Sequence, residues 1–151
     1  MRVLGFVLLV NVVGSVPAVV GGPDSAWFQA LEKPWLYPPP FVFGVVWTIL
    51  FTLMGIALWL VWRSDADADA RRVALGLFAL QMVFNVAWTP AFFTFQSPTV
   101  ALGIIVALWM LVVATILAFD RVDRRAAALL IPYIAWVTFA IVLNAEFVRL
   151  N

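Results

Sequence analysis

The sequence predicts an all-α fold, an integral membrane bundle of five transmembrane helices, and three observations carry that prediction. The composition is 66% apolar and 11% charged, where soluble domains run about 45–50% and about 25%. The charges are clustered, leaving charge-free runs at 3–20, 41–62, 73–95, 99–119 and 126–145. Each run is 18–23 residues long, and a hydrocarbon core about 30 Å thick takes about 20 helical residues at about 1.5 Å each. The chain therefore reads as one domain, 1–151, with spans at about 3–20, 41–62, 73–95, 99–119 and 126–148 and one long loop at 21–40.

The first run follows Met1-Arg2, a minimal basic start that a signal peptide would share. Its 18 residues exceed the usual apolar region of about 7–15, and no A-x-A site follows, so it is expected to stay as a span. The loop after it reads GGPDSAWFQALEKPWLYPPP. Asp24 suits a helix N-cap, and Ser25–Glu32 places Trp27, Phe28 and Leu31 on one face of a short helix. Lys33-Pro34 ends that helix, because a residue before proline is pushed out of the α region. Pro40 fits the first turn of the second span. A stiff aromatic–proline strap is thus expected over one end of the bundle.

The remaining connections are short. DADADA between Arg63 and Arg71 lacks the glycine and glutamate of a calcium loop, so it reads as a solvated turn with Asp69 as N-cap. The turn at Gln96–Pro98 is short enough to make spans three and four antiparallel neighbours. Asp120–Arg125 is a water-facing hairpin. Counting cations on alternate sides gives seven against two: Arg2, Arg63, Arg71, Arg72, Arg121, Arg124 and Arg125 oppose Lys33 and Arg149. The positive-inside rule then puts the N-terminus in the cytoplasm and the C-terminus and the long loop outside a cell membrane.

The zeros in the composition narrow the chemistry. Without Cys or His there is no thiolate nucleophile, no imidazole base and no metal site of the usual kind. The single lysine, Lys33, lies in a loop, and no run contains Asp, Glu, Lys or Arg, which disfavours ion-coupled transport. No basic stripe offers itself to nucleic acid. No metal or cofactor is expected.

Polar and aromatic residues within the spans are aligned. Asn11, Gly14 and Ser15 share a face in span one; Phe43, Trp47 and Phe51 repeat at i, i+4, i+8 in span two. Gln81, Asn85, Trp88, Thr89 and Phe92 make a broad face in span three, and Trp136, Ala140 and Asn144 recur every fourth residue in span five. An unpaired amide in hydrocarbon costs about 4–8 kcal/mol on transfer scales, so these faces point inward. Interhelical hydrogen bonding and a ligand pocket both fit them. Pro17, Pro90 and Pro132 free the carbonyls of Val13, Val86 and Ala128 and bend their helices. Gly103/Ala107 and Ala114/Ala118 in span four suit close packing, within the chain or against a second copy.

Three stretches together resemble the translocator protein family, also called tryptophan-rich sensory proteins or TspO/MBR proteins: LEKPWLYPPPFVFGVVWTILFTLMGIALWLVW from Leu31, QMVFNVAWTPAFF from Gln81 and PYIAWVTFAIVLN from Pro132. The resemblance implies a homodimeric five-helix receptor or transporter-like protein whose pocket under the first loop takes porphyrins and synthetic flat ligands. By position it assigns Trp35, Trp47, Phe51, Asn85, Trp88, Trp136 and Ala140 to that pocket, and the spacing of span two adds Phe43. Lys33 or Arg149 would meet a ligand carboxylate at the outer rim. Some relatives are reported to degrade porphyrin in light, and the residues matching Trp47 and Trp136 are implicated, so an enzyme-like photo-oxidation is the alternative activity. The resemblance stops at the sterol-recognition pattern of animal members, where Ala145 stands in place of tyrosine, and Val100 replaces an aromatic at the start of span four.

Overall fold

The computed structural model describes residues 2–19 and 21–151. Its helices are α1 (Val3–Ser15), α2 (Ala26–Ala30), α3 (Pro40–Trp62), α4 (Ala68–Thr89), α5 (Pro98–Asp120), α6 (Arg124–Leu129) and α7 (Ile131–Leu150), with no strand among the described residues. Pro40–Trp62, Ala68–Thr94, Pro98–Asp120 and Arg124–Leu150 are long and apolar enough to cross a membrane. The fifth apolar helix, Val3–Val19, is shorter, and residue 20 of the expected first span lies outside the described residues. Large apolar side chains cover the exterior: Leu4, Leu8 and Val12 on α1, Val45 and Ile49 on α3, Met110 and Leu117 on α5 are exposed. An apolar surface of that extent requires lipid.

The prolines shape the spans differently from simple kinks. Beyond α1 the backbone tightens into a 3₁₀ turn, Val16–Val19, and the Val16 N–H takes up the Val13 carbonyl. At Pro90, α4 widens into a π turn, Pro90–Thr94, closed by the Phe95 N–H on the Pro90 carbonyl at 2.8 Å. Span five is two helices: the chain breaks at Leu130, and Pro132 sits in the first turn of α7, where its missing N–H costs nothing.

Two capping expectations are corrected. Ser25, not Asp24, caps α2, accepting from the Phe28 N–H at 3.2 Å. Asp67, not Asp69, caps α4 by accepting from the Ala70 N–H at 3.2 Å. Asp69 falls in the first turn, where a carboxylate suits the helix dipole, and pairs with Arg72 at 3.3 Å. The short helix also stops sooner than Lys33-Pro34 implied, because Leu31 is already extended.

α1 lies along α3, α4 along α5, and α5 along α7, while α3 also touches α4 and α6. The α1–α3 approach is close at Gly55, where a Cβ would stand 2.6 Å from the Val7 Cα. Ser64 Oγ donates to the Val122 carbonyl, which gathers the α3–α4 and α5–α6 connections at one end. At the other end Asn151 brackets Glu32, accepting from its N–H at 2.9 Å and donating to its carbonyl at 3.0 Å. That clasp holds the first loop against the end of α7. Two apolar layers result: a large core through α1, α3, α4, α5 and α7, and a smaller one of Phe28, Ala91, Phe92, Ala101, Leu143 and Phe147 beneath the loop.

Candidate functional site

A cavity of about 300 Å³ opens between those two layers. Phe51, Ile105 and Leu108 of the large core and Phe28, Phe92, Leu143 and Phe147 of the smaller one line it, as do Gly21, Gly22, Pro23 and Tyr37 of the loop. The regular spacing on α3 and α7 explains its walls. Trp47 stacks on Phe51 at 5.3 Å between centroids, and Phe43 meets the Trp136 ring edge-on at 5.9 Å. Trp88 leans on Phe92 at 5.1 Å. Ser15, Ala18, Gly44 and Thr48 line the cavity and are also exposed. Its mouth is therefore a gap between the end of α1 and the first turns of α3.

Of the eight residues assigned to the pocket, the cavity gathers Phe43, Trp47, Phe51, Asn85, Trp88, Trp136 and Ala140. Trp35 does not line it; that ring is 92% exposed on the strap. Asn144 and Gln81 act as interhelical ties. Trp88 Nε1 donates to Asn144 Oδ1 at 2.9 Å, and Asn144 Nδ2 donates to the Pro98 carbonyl at 2.9 Å, joining α4, α5 and α7. Asn11 Nδ2 reaches Thr52 Oγ1 at 3.3 Å and the Val7 carbonyl at 3.0 Å. The two roles overlap: Asn85, Trp88 and Asn144 tie helices together and also line the cavity.

Neither outer cation is free for a ligand carboxylate in this structure. Lys33 Nζ folds back over the Phe28 ring and donates to the Phe28, Leu31 and Gln29 carbonyls at 2.9, 3.1 and 3.4 Å. It adds a cationic donor to the carbonyls where α2 ends, one of which, that of Phe28, also accepts from the Leu31 N–H. Arg149 pairs with Glu146 at 2.6 Å. Desolvation raises the Tyr37 phenol above its ordinary pKa, and its buried hydroxyl has no partner among the described residues.

Tyr133, which is 1% exposed and joins Asn85 to Gln81, was not among the residues that helical spacing singled out. Its signal was available: it lies three residues before Trp136, on the same helical face. The aromatic strap was expected over one end of the bundle but its partner there was not, because Phe28 meets Phe147 at 5.5 Å across 119 residues of sequence that no local period connects.

Apolar helices wrapped around a cavity with indole and phenyl walls define an integral membrane protein with an internal chamber of small-molecule size. The profile of the TspO/MBR family matches residues 6–150, and the chain belongs to that family. The tryptophan-rich protein TspO of Chlorobaculum tepidum is 41% identical over 148 residues, covering 98% of this chain and 92% of the relative. The tryptophan-rich sensory protein of Cereibacter sphaeroides is 40% identical over 138 residues, 89% and 84% of the two chains. The human translocator protein is 36% identical over 126 residues, 83% of this chain and 75% of its own.

Proposed function

We propose that the protein is a membrane sensor or transporter-like receptor that binds porphyrins and similar flat hydrophobic molecules beneath its first loop, and so affects tetrapyrrole transport or metabolism. The carrying observation is the cavity wall. Five aromatic rings, of Phe43, Trp47, Phe51, Trp88 and Trp136, line the cavity together with two amides, Asn85 and Asn144, and that of Asn144 is already bonded to Trp88 and the Pro98 carbonyl. Ring faces stack on a tetrapyrrole, and the Asn85 amide meets one polar atom, with no cofactor needed. A volume near the lower end of the usual range of about 300–1,000 Å³ favours entry edge-first, the rest of the macrocycle standing in the gap between α1 and α3. The names of the relatives, sensory protein and translocator protein, agree with sensing or transport.

The seven-to-two cation count supports a cell membrane location with the N-terminus in the cytoplasm. Gly103 is exposed on α5, and a Cβ there would meet nothing within 4 Å, so this small face is unused by the chain itself and suits a second copy in a homodimer. A second reading, light-driven porphyrin degradation, is favoured by one observation: Trp47 and Trp136 both line the cavity, within reach of a bound chromophore.

Titration of the detergent-purified protein with protoporphyrin IX, read by quenching of tryptophan emission, tests the first reading. Saturable one-site quenching is expected; a response that never saturates would overturn it. Illumination of the complex tests the second, through a new chromophore that forms in the parent and not in a Trp47→Phe/Trp136→Phe variant.

A further inference from the structure

Behind Asn85 lies a hydrogen-bond chain that stacking does not require. Asn85 Nδ2 donates to the Tyr133 hydroxyl at 2.7 Å, and that hydroxyl donates to Gln81 Oε1 at 2.7 Å. Tyr133 and Gln81 are each 1% exposed and sit outside the cavity, which only Asn85 of the three lines. The chain is incomplete at both ends. Gln81 Nε2 is buried with no partner among the described residues. Asn85 Oδ1 has no hydrogen bond among them and is not sealed from the cavity.

The same three side chains can be wired in the opposite direction. A carboxamide's oxygen and nitrogen have nearly the same shape, and a phenol both donates and accepts through one rotating hydrogen. With the Gln81 amide turned over, Nε2 donates to the Tyr133 hydroxyl, which then donates to Asn85 Oδ1. Asn85 now shows its NH₂ to the cavity. Each direction leaves one Gln81 atom unpaired, so neither direction satisfies the whole chain. The direction decides whether Asn85 offers an acceptor or a donor to whatever occupies the cavity. Tyr133 itself is held by packing, with its ring against Trp47 at 6.2 Å, so only hydrogens and amide planes need turn.

We propose that Gln81, Tyr133 and Asn85 form a reversible polarity relay, through which one cavity residue serves flat ligands presenting either an N–H donor or a carbonyl acceptor. The proposal rests on the cavity being the ligand site, and it makes Tyr133 and Gln81 positioning residues for ligand selectivity.

Carbazole and fluorenone are flat tricyclic probes of matched size, one with an N–H and the other with a C=O. The parent is expected to bind the two within about threefold of each other. Gln81→Met keeps length and removes the far acceptor, so the Tyr133 hydroxyl can donate only to Asn85 Oδ1. Fluorenone binding should then hold while carbazole weakens about tenfold. Tyr133→Phe releases Asn85, and the ratio should return toward the parent's. A merely structural role would lower both affinities together and leave the ratio fixed. An unchanged ratio in Gln81→Met overturns the relay and leaves the cavity standing, whereas no binding of either probe by the parent overturns the cavity reading and the relay with it.

A measurement on the parent covers poor folding of the variants. The chain has three glutamines, Gln29, Gln81 and Gln96, so side-chain ¹⁵N labelling gives an assignable spectrum. The Gln81 NH₂ protons should move downfield with fluorenone, where they are hydrogen-bonded, relative to carbazole. The same position with both ligands contradicts the relay.

Discussion

Replacing Gly14 with alanine should narrow the cavity from the α1 side. A Cβ on Gly14 would lie 2.5 Å from Phe51 Cε2, 2.6 Å from Cε1 and nearer still to Cζ. Carbon atoms in contact rest about 3.5–4.0 Å apart, so ring or helix must retreat by about 1 Å. The ring is the softer element, but it is stacked on Trp47 at 5.3 Å, which transmits the push to the cavity wall. Overpacking of this kind costs about 1–3 kcal/mol, offset by up to about 1 kcal/mol from the better helix propensity of alanine. The net expectation is a stability loss of about 0–3 kcal/mol with a clear loss of porphyrin affinity. Gly55→Ala is the contrast, since its Cβ would strike backbone, 2.6 Å from the Val7 Cα and 2.9 Å from the Val7 N. There α1 itself must move, so stability should fall further. Gly44→Ala is the control, with no atom within 4 Å of its Cβ. Melting in detergent and porphyrin titration of all three variants decide the matter. If Gly14→Ala binds like Gly44→Ala, Phe51 and Trp47 do not shape the ligand site and the reasoning fails.

Three further outcomes are expected. Gly44→Phe should slow porphyrin association and dissociation together, because it adds a ring at the mouth, where a Cβ meets nothing within 4 Å; stopped-flow quenching measures both rates, and an affinity change alone would place the mouth elsewhere. Asp123 should make the protein acid-sensitive: a hydrogen bond from the exposed Arg125 side chain chiefly holds its carboxyl below the ordinary carboxylate range, so its contribution is present above the unfolded value of about 3.9 and lost as pH falls through the depressed folded value. Asp123→Asn keeps a capping oxygen and should flatten that acid limb of a melting-against-pH curve, while Asp123→Ala should cost about 0.5–2 kcal/mol at neutral pH as well. With no native cysteine, Gln29→Cys should react with an impermeant thiol reagent in intact cells and Ala68→Cys should not; the opposite pattern would reverse the proposed topology.

The spans were legible because lipid leaves the chain no freedom: every polar backbone group must bond within its helix, so the charge-free runs foretell the helices. Their interruptions were less so. Pro17, Pro90 and Pro132 announced disturbance, but not its form, which is a 3₁₀ turn at the first, a π turn at the second and the start of a new helix at the third. The caps slipped by one and two residues because Asp24 and Ser25, or Asp67 and Asp69, are chemically equal candidates. Only the backbone angle at each position separates them. In the cavity, the walls on α3, α4 and α7 were legible from helical spacing. The roof was not, since Phe28, Tyr37 and Phe147 meet through a loop fold rather than a period. Trp35 belongs to the motif that carries the resemblance, but the strap turns it outward. Lys33 or Arg149 was expected at a ligand carboxylate because both are cations at the outer rim, and the local carbonyls of α2 and Leu31 and the Glu146 carboxylate claim them instead.

The central claim, that the aromatic chamber is a porphyrin site, is tested most directly by the affinity of protoporphyrin IX for a Trp47→Ala/Trp136→Ala variant, followed through the porphyrin absorption band. Each lost ring contact is worth about 0.5–1.5 kcal/mol beyond its buried area, so the double variant should bind between about five and about 150 times more weakly, while Trp62→Ala/Trp109→Ala, whose rings lie outside the chamber, should match the parent. Equal affinity in the parent and the Trp47→Ala/Trp136→Ala variant would contradict the account.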